Sequence, residues 1–363
     1  MLVVVFQLLL TACASLAMDP VAKRPGSAVE ADMNLVSYHR RVATEVVEKL
    51  NSQNLLYEDS EARLIVDQIL ARLITPAARA SINVVFTRLP GENALALANG
   101  TILIHQSLLA TVASEPQLAF LLAHEISHLN LNHAWSTSRS SVQERFDRHA
   151  FGREQEIEAD QYAARILAQA GYDLVEASEF FTQLANYPVA FPGSEQARTH
   201  PLLAERKQTL LNTRQVTLTA NYSEDTDLGT DHELQRRFDR FRIRQLLRSI
   251  QSKTKEPDLP GALLQLSQLE AIAGSGDETE CLRANIYVAI GADFTEARNA
   301  MRELLGEELA TGSVGRHDGG LKPNDQASGF FQDQAEDLYR NILAQSPDAN
   351  CASRGLSALL AQR

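Results

Sequence analysis

The sequence lacks basic runs interleaved with aromatic residues, and Phe, Trp and Tyr make up only 6% of its 363 residues. The formal net charge of −12 is equally unsuited to a polyanionic partner. Both features argue against nucleic-acid binding. The sequence also lacks a G-x-S-x-G motif and a glycine-rich phosphate loop, so it gives no support to serine-hydrolase or nucleotide chemistry.

The composition is that of a globular protein. Hydrophobic residues make up 44% of the chain and charged residues 22%. A chain of this length accommodates one large domain or two modest ones.

The most informative segment is H-E-I-S-H at residues 124–128. Residues four apart lie on the same face of an α-helix, so His124 and His128 can hold one metal ion. Glu125 lies beside them, where a carboxylate can take a proton from water. This spacing is typical of zinc peptidases, provided that it lies on a helix and that a third ligand exists.

The residues around the motif favour a buried helix. Apolar residues recur at helical spacing, and Pro116 suits a first helical turn. The apolar positions are Leu118, Leu121, Leu122, Ile126 and Leu129. The alternative is an ordinary helix with two hydrogen-bonded histidines, but buried polar groups are costly without partners. A metal ion is the simplest partner.

A second helix carries the candidates for the third ligand. The segment 154–160 reads E-Q-E-I-E-A-D, and its Glu154, Glu156 and Glu158 are all candidates. Glu156 and Asp160 share one helix face. Asp160 can accept the distal N–H of a ligand histidine and so fix its tautomer.

The N-terminus predicts export. Residues 1–12 are almost wholly apolar but too short to span a bilayer as a helix, which is typical of a signal peptide. Leu-Thr-Ala-Cys at residues 10–13 matches a bacterial lipobox, although no Lys or Arg precedes the apolar run. We therefore expect Cys13 to carry a lipid anchor, residues 13–32 to form a tether, and the protein to face the periplasm at the outer membrane of a Gram-negative bacterium.

Two further cysteines lie in the C-terminal part. With Cys13 lipidated, Cys281 and Cys351 remain as a pair in a compartment that permits disulfides. We expect them to be bridged.

Periodicity divides the chain into two structured regions. Helical patterns at 35–50 and 60–73 precede short strand patterns at 81–86, 93–97 and 101–104, and Asn99-Gly100 is a strong hairpin signal. Helical patterns follow at 154–170, 174–184 and 202–211. Beyond an acidic, polar stretch, helices are predicted at 233–253, 260–273, 277–291, 294–306, 331–346 and 350–361, with a Gly-rich insertion at 311–328.

H-E-I-S-H followed by E-I-E-A-D resembles the zinc metallopeptidases of the CAAX-prenyl-protease and HtpX type, in particular their periplasmic branch (BepA and LoiP). The likeness extends to the hairpin at 93–105 and to T-H-P-L-L-A-E-R at 199–206, and it covers about residues 35–215. Together with the periodicity, it implies an α+β, mostly helical fold. A zincin-like metallopeptidase domain with a small antiparallel sheet occupies 33–216, and the acidic, polar stretch and the helical patterns add a linker at 217–231 and an all-helical region at 232–363. The C-terminal region looks similar to tetratricopeptide (TPR) repeats, although the period is not clean.

The resemblance also implies roles for individual residues. It selects Glu156 as the third zinc ligand. It suggests that His200 caps the zinc in a resting enzyme or, with Arg206, steadies the oxyanion. The strand carrying Asn93, Ala94 and Leu95 would bind the substrate backbone by β-addition. His133 is interpreted as structural.

The predicted function is a membrane-anchored zinc endopeptidase that cleaves misfolded or unassembled envelope proteins. The C-terminal helices would contact outer-membrane assembly machinery. One alternative is a chaperone-like assembly scaffold whose zinc site stays capped. A second is a zinc amidase acting on cell-wall peptides.

Overall fold

The computed structural model describes residues 29–89, 91–133, 153–185, 203–218, 232–255, 258–292 and 323–362. The predicted signal peptide, most of the tether with Cys13, His200, and the helix expected at 294–306 lie outside these residues.

The peptidase-like part begins with helices that frame a small sheet. These are α1 (Val29–Ser52), α2 (Ser60–Leu73) and the short α3 (Pro76–Arg79). Asp59 caps α2 because its side chain accepts the N–H groups of Glu61 and Ala62, which have no partner within the helix. Thr75 caps α3 in the same way, ahead of Pro76.

The sheet has four strands in the described part of the chain: β1 (Leu56–Tyr57), β2 (Asn83–Thr87), β3 (Ala94–Ala96) and β4 (Thr101–His105). Their order is β1-β2-β4-β3, so β3 forms one edge. The expected β3–β4 hairpin is present and antiparallel. The prediction of an antiparallel sheet was wrong in one respect, because β2 pairs with β4 in parallel.

The parallel pair has a topological cause. After β2 the chain crosses past the position of β4, forms β3 at the edge, and returns through the hairpin to lie between the two. β4 is therefore central and buried along its whole length. The two-residue β1 was not predicted, since so short a strand has no period of its own.

Helices pack on both faces of the sheet, α1 on one face and the helices that hold the motif on the other. The chain continues through α4 (Gln106–Thr111), α5 (Glu115–Asn130), α6 (Arg153–Gln169), α7 (Leu174–Ala185) and α8 (Leu203–Leu218). The main core joins residues of α2, the sheet, α5, α6 and α7. α8 extends seven residues beyond the helix predicted at 202–211 and enters the predicted linker.

The C-terminal region consists of helices in its described part. These are α9 (His232–Lys253), α10 (Leu259–Ala273), α11 (Asp277–Ala292), α12 (Pro323–Gln345) and α13 (Asn350–Gln362). Each packs on the next in chain order, which is compatible with the TPR-like prediction without establishing it. α12 begins inside the segment predicted as an insertion. Cys281 on α11 and Cys351 on α13 form a disulfide, with Cα atoms 6.2 Å apart.

The C-terminal region shares its core with the peptidase-like part. Phe238 and Phe241 of α9 join the main core, and Ala110 of α4 joins the cluster formed by α9, α10 and α11. Among the described residues, no helix combines the length and the apolar character needed to cross a bilayer.

Polar contacts reinforce this junction. Gln245 of α9 donates to Asp59 at 2.8 Å, and Arg248 pairs with the same carboxylate.

Lys253 donates to Glu92 at 2.6 Å and also pairs with Asp258, the cap of α10. Although burial lowers the pKa of Lys253, the two carboxylates raise it above its usual value, so the buried amine stays charged.

Gly100→Ala should destabilise the protein by about 3 kcal/mol, because Gly100 has φ +86° and an added Cβ would lie 2.1 Å from the carbonyl oxygen of Ser81. Gly274→Ala is the matched control. Its φ is +81° but nothing lies within 4 Å, so we expect about 1 kcal/mol. Urea unfolding followed by circular dichroism measures both. Equal losses would show that the close approach to Ser81 has no cost.

Lys253→Met should destabilise the protein by about 3 kcal/mol, because it leaves the carboxylates of Glu92 and Asp258 without their buried cation. Arg41→Met is the control, since both side chains of the Arg41–Glu45 pair are exposed and such pairs contribute about 0.5 kcal/mol. A thermal midpoint for Lys253→Met equal to that of the control would contradict the structural role given to the junction.

Candidate metal centre

The motif lies on a helix that is buried along most of its length. α5 begins after Ser114 with Pro116 in its first turn, and residues 117–129 are all buried. Ser127 satisfies its hydroxyl by donating to the carbonyl of Ala123 at 2.6 Å. His124 and His128 therefore share a face with little access to water, as predicted.

Three side chains converge on one point. The Nε2 atoms of His124 and His128 are 3.0 Å apart. The carboxylate of Glu156, on α6, lies 3.5 Å from the first and 3.6 Å from the second. One ligand atom from each residue lies within 4.8 Å of the others, and all three residues are buried. Two imidazoles and a carboxylate form the donor set of a catalytic zinc site with a position left for water.

Burial distinguishes Glu156 from the other two candidates for the third ligand. Glu156 is 1% exposed, whereas Glu154 and Glu158 lie on the exposed side of α6. The observed placement of Glu156 agrees with the choice that the family resemblance made.

Asp160 and Arg206 lie directly behind the ligands. Asp160 Oδ1 accepts from His124 Nδ1 at 2.9 Å, the tautomer-fixing contact expected of it. Arg206 of α8 donates to both oxygens of Asp160, at 2.8 Å each, and its Nη1 lies 3.1 Å from Glu156. Its guanidinium stacks over the ring of Phe181 at 4.9 Å. The structure thus brings Arg206 to the carboxylates, and its predicted role at the oxyanion stays a prediction.

The electrostatic environment shifts the pKa values of the two histidines in opposite directions. Burial and the Arg206 charge lower the pKa of His124, but hydrogen bonds to Asp160 and Glu156 outweigh them and raise it to about 9. Burial, together with the neighbouring His124, holds the pKa of His128 well below its ordinary value. Asp160 stays ionised because the charge of Arg206 lowers its pKa in spite of burial.

Glu125 occupies the position of a general base. It is 5% exposed, and burial raises its pKa to about 7. The backbone N–H of Ala96, on edge strand β3, donates to its carboxylate. No group in the described part of the chain hydrogen-bonds its Oε2. A buried carboxylate with one uncommitted oxygen and a pKa near neutrality is suited to accepting and returning a proton.

The predicted substrate strand lies at the edge of the sheet beside α5. Ala94 and Leu95 pair with Ile104 and Leu103 on the β4 side, which leaves the outer side of β3 at the sheet edge. Asn93 precedes the strand, and its carbonyl accepts the N–H of His105 at 2.9 Å. His200 lies outside the described residues, so its capping role stays a prediction.

Sequence reasoning did not place His133 beside the metal ligands. The residue was interpreted as structural, which stays a prediction; its Nδ1 lies 3.0 Å from Nδ1 of His128 and its Nε2 lies 3.2 Å from Glu158. Its position five residues after a metal-ligating histidine was the available signal. Phe181, which supports Arg206, had no local signal at all.

Comparisons with known proteins agree with this geometry. The model of "Peptidase family M48" matches residues 61–148 and 141–214. A relative from Vibrio cholerae serotype O1, whose name includes the words "beta-barrel assembly-enhancing protease", is 27% identical over an alignment of 151 residues. The alignment covers 31% of this chain and 31% of the relative. The chain therefore spans about a third of the length of the curated relative that it matches.

Glu156→Gln should weaken zinc binding by at least about 100-fold, because an amide oxygen carries no charge to offset that of the metal. Glu154→Gln is the matched control on the same helix and should bind zinc as the wild type does, since its side chain is exposed. Metal analysis after dialysis, with chelator competition for the affinity, measures both. Stoichiometric, tightly held zinc in Glu156→Gln would remove Glu156 from the ligand set.

Proposed function

We propose that this chain is a zinc endopeptidase of the bacterial envelope that cleaves misfolded or unassembled envelope proteins, and the match of residues 61–148 and 141–214 to the model of peptidase family M48 supports the proposal. The observation that carries the proposal is the convergence of His124, His128 and Glu156 beside the uncommitted oxygen of Glu125. These groups supply the parts of one hydrolytic reaction within a single buried site.

Each residue has a distinct part in the reaction. Zinc, when bound, polarises the scissile carbonyl and makes the attacking water more acidic. Glu125 accepts the proton of that water through its uncommitted oxygen and then delivers it to the leaving amine. Asp160 holds His124 in the tautomer that presents Nε2 to the metal, and Arg206 holds Asp160 in place.

The edge strand supports an extended substrate. A peptide lying along Asn93, Ala94 and Leu95 on the outer side of β3 would gain hydrogen bonds from the backbone groups that do not face β4, and would run past Glu125. Backbone recognition of this kind depends on an unfolded segment more than on its side chains. This dependence is consistent with misfolded or unassembled proteins as substrates.

The envelope location is supported by three features. The Cys13 lipobox would anchor the chain to a membrane, most simply the outer membrane on its periplasmic side. The disulfide between Cys281 and Cys351 is typical of an oxidising compartment. The V. cholerae relative is named for β-barrel assembly. We extend the proposal to the C-terminal helices as the surface that contacts assembly machinery.

Glu125→Gln should lower the cleavage of an unfolded protein such as casein by about 1000-fold while zinc content stays at the wild-type level. The amide keeps the shape of the side chain but cannot take the proton. Glu154→Gln again serves as the control and should cleave normally.

Cleavage of casein by Glu125→Gln at the wild-type rate would contradict this mechanism. A Glu125→Gln gene that restores a deletion strain fully would instead favour the scaffold alternative, in which the zinc site is silent.

A further inference from the structure

Each zinc-ligating histidine has a second ring nitrogen that faces away from the metal, and the two nitrogens meet different partners. Nδ1 of His124 meets the carboxylate of Asp160, which is buried and paired with Arg206. Nδ1 of His128 meets another imidazole, that of His133, at 3.0 Å. We propose that His133 is a positioning residue for the metal centre, and that Glu158, His133 and His128 form a hydrogen-bonded chain that ends at the zinc.

The ligand role of His128 fixes the direction of this chain. Its Nε2 faces His124 and Glu156 and must present a lone pair to the metal. A neutral imidazole carries one N–H, so that of His128 is on Nδ1. It therefore donates to Nδ1 of His133, which has to accept.

The same argument fixes His133. Because its Nδ1 accepts, its own N–H is on Nε2, the atom that lies 3.2 Å from Oε2 of Glu158. Glu158 on α6 is an acceptor in its ionised form, so all three partners agree on a single proton arrangement. Each hydrogen bond polarises the next, which makes Nε2 of His128 a better metal ligand.

The geometry of His133 differs from that of a histidine whose only role is packing. It lies just beyond α5, whose C-cap is Leu131, and the intervening Asn132 has φ +61°, a left-handed conformation that turns the chain back. That turn brings the ring of His133 to 5.1 Å from the ring of His128. The side chain is only 5% exposed, whereas that of Glu158 is 50% exposed. The chain thus leads from the buried metal site to the protein surface.

The two outer partners differ in charge. Asp160 gives His124 an anionic acceptor, whereas His133 gives His128 a neutral one with a carboxylate one step further out. Because His133 is neutral, we expect its removal to leave the net charge of the site almost unchanged. Its main effect should be to free the ring of His128 to move. The inference rests on zinc binding by this site and therefore depends on the proposed function.

The test compares His133→Leu with His133→Gln. Leu has no acceptor, whereas the Gln amide can accept from His128 and donate to Glu158. His133→Leu should speed zinc loss to a chelator by about 10- to 100-fold, and His133→Gln should restore most of the difference. In the cobalt-substituted protein, the visible spectrum should likewise change more in His133→Leu than in His133→Gln. His39→Leu, which removes an equally buried imidazole from α1, is the control and should leave zinc loss unchanged.

A double-mutant cycle tests the chain itself. Glu158→Ala should speed zinc loss by about threefold, since its carboxylate is half exposed and water replaces part of the contact. The double variant His133→Leu/Glu158→Ala should lose zinc no faster than His133→Leu alone, because Glu158 acts through His133.

Three results would overturn the inference: His133→Leu losing zinc as slowly as His39→Leu, no rescue by Gln, or additive effects in the cycle. If His133→Leu does not fold, Glu158→Ala is compared with Glu154→Ala, an exposed control on the same helix, and equal rates of zinc loss by these two variants overturn the inference. Failure of the wild type to hold stoichiometric zinc would instead refute the proposed function, so the two failures are distinguishable.

Discussion

The metal centre depends on one buried interaction, the pairing of Arg206 with Asp160 and Glu156. Two carboxylates on one face of α6 would repel each other in a site that excludes water. The guanidinium donates to both oxygens of Asp160 and lies 3.1 Å from Glu156, so both carboxylates can be ionised where the metal needs them. With Glu125 also ionised, three carboxylates and one guanidinium leave two negative charges, which matches a divalent cation.

This pairing also explains why α8 belongs to the site. α8 packs on α6 and α7, and Phe181 of α7 lies under the guanidinium of Arg206. A helix that looks peripheral in the sequence thereby supplies the cation that the ligand helix requires. Without it, the buried carboxylates of Asp160 and Glu156 would lose their cation, which is costly in the core.

The sequence predicted what depends on local spacing. The separation of His124 and His128 fixed their common face, the Asn99-Gly100 turn fixed the β3–β4 hairpin, and helical periodicity placed most of the helices within a few residues. The choice of Glu156 over Glu154 and Glu158 needed a family resemblance, because all three lie on one helix and spacing alone does not say which side faces the core. The burial of Glu156 supplies that physical reason.

What the sequence did not predict depends on contacts between distant segments. The parallel pairing of β2 with β4 arises because β3 occupies the edge, which no local pattern encodes. The role of His133 depends on a turn at Asn132 that brings its ring back to His128. The stacking of Phe181 on Arg206 joins helices that lie far apart along the chain.

The C-terminal helices reach the catalytic side of the molecule through a short series of contacts. Lys253 at the end of α9 holds Glu92, which lies two residues before the edge strand β3. Ala96 in that strand donates its N–H to Glu125. A displacement of β3 would therefore change both the edge offered to a substrate and the hydrogen bonding of the general base. Because Phe238 and Phe241 also complete the main core, the C-terminal region is part of the structure that positions the site rather than an independent appendage.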